Sequence, residues 1–226
     1  MNRKSATRKG FVAAAALSAV IGLSACGTND VDTAQADSSS TSVSVPKPAA
    51  VVRAIPGGDT AVTLDSGFVS ALGTLGLTPG VTGTATLDGT TGVVDFPITG
   101  GTVTLYDRET GYRPWVQGVL FHEGSGLSLT AGGTEVELTD FVIDPGTSEL
   151  TGTVSVDGKE AATDALLFDL DGSTLNPLET NSDGSATLEG TTVTLSDDAA
   201  GLRNDTFGIE DLKGGLVIGI SSITVK

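Results

Sequence analysis

The chain is poor in the residues from which most catalytic and metal sites are built. Its 226 residues include one cysteine, one histidine, one tryptophan and two tyrosines. A single cysteine excludes an internal disulfide, so the fold must rest on its core alone. One histidine and one cysteine cannot supply the four ligands of a structural zinc site. Positive charge is scarce too: 12 Lys and Arg stand against 28 Asp and Glu, a formal charge of −16. Such a surface repels phosphate backbones, which argues against nucleic-acid binding, and its usual role is a solvated exterior. No apolar run is long enough to cross a bilayer core as a helix; the longest, Phe11 to Leu23, is short of the usual span.

That run has a context. Arg3, Lys4, Arg8 and Lys9 precede it and small residues follow, the three-part plan of an export signal. The segment Leu23-Ser24-Ala25-Cys26 resembles the lipobox of bacterial lipoproteins, and Cys26 is the only cysteine. The resemblance implies cleavage after Ala25 and transfer of a diacylglyceryl group to Cys26, often followed by N-acylation. Two or three acyl chains make a lasting anchor, since each buried methylene is worth about 0.8 kcal/mol. The expected location is the cell membrane, lipid-anchored on the extracytoplasmic face. Removal of residues 1–25 leaves 8 basic residues against 28 acidic ones and a net charge near −20. Residues 26–58, rich in Ser, Thr, Asp, Ala and Pro, read as a flexible lipidated tether with a reach of roughly 30 Å.

Residues 59–226 are expected to form one domain. Glycine and threonine abound, and short apolar runs alternate with turn signals such as AGGT, DPGT and VDGK. The expected class is all-β, an antiparallel β-sandwich with two short helices. One helix should start at Asp65 or Ser66, the other with Ser196 as its N-cap and Asp197 and Asp198 in the first turn, where the helix dipole favours them. In TEVELTDFVID, Val136 and Leu138 share one parity while Phe141 and Ile143 share the other. Strict alternation cannot absorb that change, so a bulge is expected near Thr139 and Asp140.

The candidates for chemistry are few. HEGSGLS has Glu123 and Leu127 where a nucleophile elbow needs glycines, and a strand follows instead of a helix, so Ser125 reads as part of a tight Gly-Ser-Gly turn. DLDGSTLNPLET opens like a calcium loop at Asp169 and Asp171 but carries Thr174 at the sixth position and Thr180 at the twelfth. Neither a catalytic set nor a metal site emerges. The aromatics are more telling. Tyr106, Tyr112, Trp115 and His122 lie within one short stretch, with Arg108 and Arg113 among them. Aromatic and Arg side chains on a loop are common anchors of recognition. Alternation from Trp115 to His122 places His122 on the face shared by Val116 and Leu120, as an inward, hydrogen-bonded histidine.

The phrases GVVDFPITGGTV, GVLFHEGSGLSLTAGGTEVELTDFVID, LLFDLD and TVTLSDDAAGLRNDTFG together resemble secreted β-rich domains of actinobacteria, which are similar to the haem-uptake surface domains called HtaA-like. That resemblance implies haem as a cofactor, with Tyr106 or Tyr112 as axial ligand and His122 hydrogen-bonded to it. Read from the residues alone, the expected function is a non-catalytic binding module of the cell envelope, taking an envelope component, a partner protein or a small ligand.

Overall fold

The computed structural model describes residues 44–226. The export signal, the lipobox with Cys26 and the first part of the tether lie outside the described residues.

The all-β reading holds, with antiparallel pairing throughout and two short helices. In chain order the elements are β1 (Ala50–Val52), β2 (Gly58–Leu64), α1 (Ser66–Thr74), β3 (Thr78–Gly83), β4 (Thr86–Asp88), β5 (Val93–Pro97) and β6 (Gly100–Leu105), followed by β7 (Val116–Ala131), β8 (Thr134–Asp144), β9 (Glu149–Val156), β10 (Lys159–Asp171), β11 (Glu179–Thr180), β12 (Ala186–Leu195), α2 (Asp197–Phe207) and β13 (Val217–Val225). The hairpins follow from their turns. Gly132 and Gly133 join β7 to β8, and Asp157 and Gly158 join β9 to β10; all four residues have positive φ, as two-residue primed turns require. Both helices are capped at the expected residues. Asp65 accepts from the Gly67 and Phe68 N–H groups, and Ser196 Oγ accepts from Ala199 N–H.

The two layers of the sandwich are parts of one continuous sheet, ordered β1-β6-β7-β8-β9-β10-β12-β13-β2-β5-β4, with β3 added to the second half of β7. β5 and β6 sit near opposite ends of that order, yet only Ile98 and Thr99 separate them in the chain. The sheet must therefore curl until its ends meet. Thr99 marks the junction: its N–H donates to the Phe121 carbonyl at 2.8 Å. A second junction is Thr84, between β3 and β4, whose N–H donates to the Gly124 carbonyl at 2.9 Å. Core residues of both ends, among them Val94, Phe96, Leu120 and Phe141, face the enclosed interior.

The expected bulge is present. Along β8 the pairing with β9 shifts between Thr139 and Val142, and Asp140 between them has φ 55°. The opposite edge of β8 meets a matching irregularity in β7, and here the reading of a Gly-Ser-Gly turn is corrected. β7 runs unbroken through Gly124, Ser125 and Gly126. His122 pairs with Phe141 and Gly126 with Thr139, so four steps on β7 match two on β8. Asp140 fixes the distortion by accepting from Gly124 N–H at 2.8 Å. Gly126 is required, because a Cβ there would lie 2.0 Å from the Leu138 carbonyl oxygen.

The boundary of the tether is also corrected. β1 pairs with β6, and Ile55 is buried with its N–H bonded to the Gly101 carbonyl. The fold thus takes in residues from Ala50 onward, a short apolar stretch at the end of a polar segment.

Candidate functional site: an apolar cavity with an aromatic rim

Because neighbouring strands are antiparallel, the connections β6–β7, β8–β9 and β10–β11 all emerge at one end of the curled sheet. There the sheet does not fill itself. A cavity of about 650 Å³ opens between Trp115, Pro145, Leu175 and Leu178 at the rim. Its walls are Leu120, Ile143, Leu150, Leu170, Val193 and Ile223, supplied by six different strands. That volume lies within the range of small-molecule sites, about 300–1,000 Å³, and the lining is overwhelmingly apolar. Among the described residues, Arg113 and Asp171 are the charged side chains that line it, and both are exposed.

His122 sits deep in this interior. Six residue steps along β7 separate it from Val116 at the rim, roughly 20 Å of extended strand. It faces the same side as Val116 and Leu120, as alternation predicts, and is 1% exposed. Its Nε2 is 2.8 Å from Thr60 Oγ1, across the curl from β7 to β2. The bond therefore ties together strands that lie far apart in the sheet order. Burial pushes the imidazole pKa down to about 4, with a smaller opposing effect from the Phe141 backbone, so the ring is neutral at pH 7. Among the described residues Nδ1 meets no hydrogen-bond partner. Below it Phe141 packs edge-on against Phe96 and Phe168, with ring centroids 5.4 and 6.3 Å away.

Ser125 is fully buried and its hydroxyl donates to the His122 carbonyl at 3.1 Å. That bond pins the bulge. The hydroxyl is not paired with the imidazole, whose side-chain bond goes to Thr60, so no serine–histidine nucleophile forms. Among the described residues no group of three or more His, Cys, Asp or Glu side chains could hold a metal ion. Asp171 ends β10 and accepts from Ser173 N–H, a turn and not a calcium loop.

The aromatic loop divides into two parts. Tyr106 is buried, its N–H bonds the Trp115 carbonyl, and its ring packs edge-on against Tyr112 at 4.6 Å. Neither tyrosine lines the cavity. Trp115 does, and it carries two guanidinium groups: Arg108 at 3.6 Å and Arg113 at 5.1 Å from its ring centroid. Desolvation and, secondarily, Arg113 lower the pKa of Arg108 from its ordinary value. Of the six candidates, Trp115, Arg113 and His122 reach the cavity, and Arg108 supports the rim. The tyrosines form a separate pair.

A tyrosine-ligated haem does not fit this arrangement. The histidine that would support the ligand is bonded to a threonine, and the tyrosines lie outside the cavity. Sequence reasoning did not find Thr60, nor the rim leucines of the β10–β11 loop. For the latter a signal existed, since Leu175 and Leu178 are apolar residues in an otherwise polar loop.

No protein-family model matches the chain, and no curated protein matches it in sequence. Among solved structures it is similar to the C-terminal domain of HtaA from Corynebacterium glutamicum, with a TM-score of 0.52 and 15% identity over 77% of this chain and 98% of that domain. At that identity the likeness is one of fold: this chain shares the β-rich architecture that its sequence phrases suggested.

Proposed function

We propose that the chain is a non-catalytic binding module of the cell envelope, anchored through Cys26, that holds an apolar small molecule inside its curled sheet. The observation that carries this reading is the cavity of about 650 Å³, walled by aliphatic side chains and open at one end. A bound apolar molecule would gain packing contacts with that aliphatic lining and leave water. The direct test is titration of the purified chain with an uncharged naphthylamine dye whose emission rises in apolar surroundings. Saturable binding of one dye per chain is expected; a linear, unsaturable signal would remove the basis for the reading. For the anchor, Cys26→Ser should release the chain from membranes, and unchanged retention would mean that the lipobox reading is wrong.

Haem uptake is the second reading, favoured by the fold shared with the HtaA domain. A hemin titration separates the two. A stoichiometric Soret shift lost in Tyr106→Ala or Tyr112→Ala would put haem in place of the apolar ligand. No shift would leave haem capture without support.

A further inference from the structure

The cavity and its rim differ in the chemistry they can accept, and that difference narrows the ligand. On β7 alone the lining runs from Val116 through Leu120 and His122 to Leu127, roughly 30 Å of strand. A volume of about 650 Å³ lined along so much of one strand has room for a hydrocarbon chain. The interior has no place for charge. Its buried polar side chains are Thr60, His122 and Ser221, and the first two bond each other. An ion carried inward would lose its hydration without meeting a side chain of opposite charge. Any charged group of a ligand must therefore stay at the mouth.

At the mouth, cationic side chains come within reach of the opening. Two guanidinium groups, Arg108 and Arg113, are stacked on Trp115. Arg113 donates to the Tyr112 carbonyl, and among the described residues neither arginine is hydrogen-bonded to a carboxylate. Of the acids in these loops, Asp171 lines the cavity, while Asp107 and Asp144 each accept from backbone N–H groups of their own turns. The planar fork of arginine suits carboxylate and phosphate oxygens, and stacking on an indole holds the fork in place.

We propose that the ligand is an amphiphile whose long hydrocarbon chain lies in the cavity and whose acidic head group, a carboxylate or phosphate, is held at the rim by Arg108 and Arg113. The inference rests on the cavity reading above. Its test uses the purified full chain and the fluorescence of Trp115, the only tryptophan. Dodecanoate, dodecan-1-ol and dodecyltrimethylammonium are titrated separately, each below its micelle concentration. The expected order is acid, then alcohol, then ammonium, with about a fivefold advantage of acid over alcohol at low salt. Arg108→Ala combined with Arg113→Ala should bring acid and alcohol to parity, and Asp171→Asn should strengthen acid binding. Equal affinities in the unaltered chain, or tighter binding of the alcohol or the ammonium, would overturn the head-group assignment and leave the cavity reading standing. Failure of all three to bind would overturn both. Native mass spectrometry after incubation with anionic phospholipid vesicles distinguishes the sources: a retained phospholipid points to the membrane and a retained free acid to solution. Either result supports the inference, and retention of neither counts against it.

Discussion

The two ends of the cavity are built on different principles. At the deep end, distant strands are locked together: β7 meets β2 through His122 and Thr60, and β5, β8 and β10 meet through Phe96, Phe141 and Phe168. Every polar group there is buried and most are spoken for. At the mouth, loops carry half-exposed apolar side chains and two guanidinium groups stacked on Trp115. Stability is concentrated at the first end and recognition at the second. Substitutions at the deep end should therefore change folding, and those at the rim should change binding.

The largest effect is expected from Phe141→Ala, which removes a 3%-exposed ring touching two others. A loss of about 3–5 kcal/mol in urea unfolding is predicted. A loss below about 1 kcal/mol would mean that the deep end is not the stabilising one.

The pH dependence comes next. The folded-state pKa of His122 is depressed to about 4 from 6.5. Between those values the unfolded chain binds a proton that the folded chain refuses, so stability is complete above pH 6.5 and falls as the pH drops toward 4, by about 3 kcal/mol. Carboxylates titrate in the same range, so the informative quantity is the difference between the unaltered chain and His122→Leu, in which this part of the slope should vanish. His122→Leu also orphans the Thr60 hydroxyl, at a cost of about 1–3 kcal/mol, and adding Thr60→Val should recover part of it.

Rim substitutions should act the other way round. Trp115→Ala is expected to weaken dye binding about tenfold while shifting the unfolding free energy by no more than about 1 kcal/mol. Arg108→Ala, the smallest change, should cost about 0.5 kcal/mol of stability through the lost cation–π contact, measured by the same urea titration.

How much of this could be read from the sequence follows the same division. Local signals were dependable. Asp65 and Ser196 marked the helix starts, paired turn residues marked the hairpins, and the parity change from Leu138 to Phe141 marked the bulge. Long-range features were not. Gly124-Ser125-Gly126 has the composition of a turn, and only the reach of Asp140 from the neighbouring strand makes it a bulge within β7. Ile55 lies in a short stretch followed by Pro56, Gly57 and Gly58, and it is buried with its N–H bonded to the Gly101 carbonyl. The cavity left no trace in the sequence because Leu120, Leu150 and Val193 are the same residues that would fill a closed core. Whether inward side chains meet or leave a space depends on the curl of the sheet, which period-2 alternation does not encode. His122 was legible in its direction and burial; its partner, 62 residues away in sequence, was not.

The central claim is that the cavity itself binds an apolar molecule, and filling it from within tests that most directly. Leu188 lines the cavity and is half-buried, so Leu188→Trp should place an indole in the ligand's space without crowding the core. Calorimetric titration with the uncharged dye should give one site per chain in the unaltered protein and no measurable heat in the folded variant. Unchanged affinity and stoichiometry in Leu188→Trp would place the binding elsewhere and contradict the account.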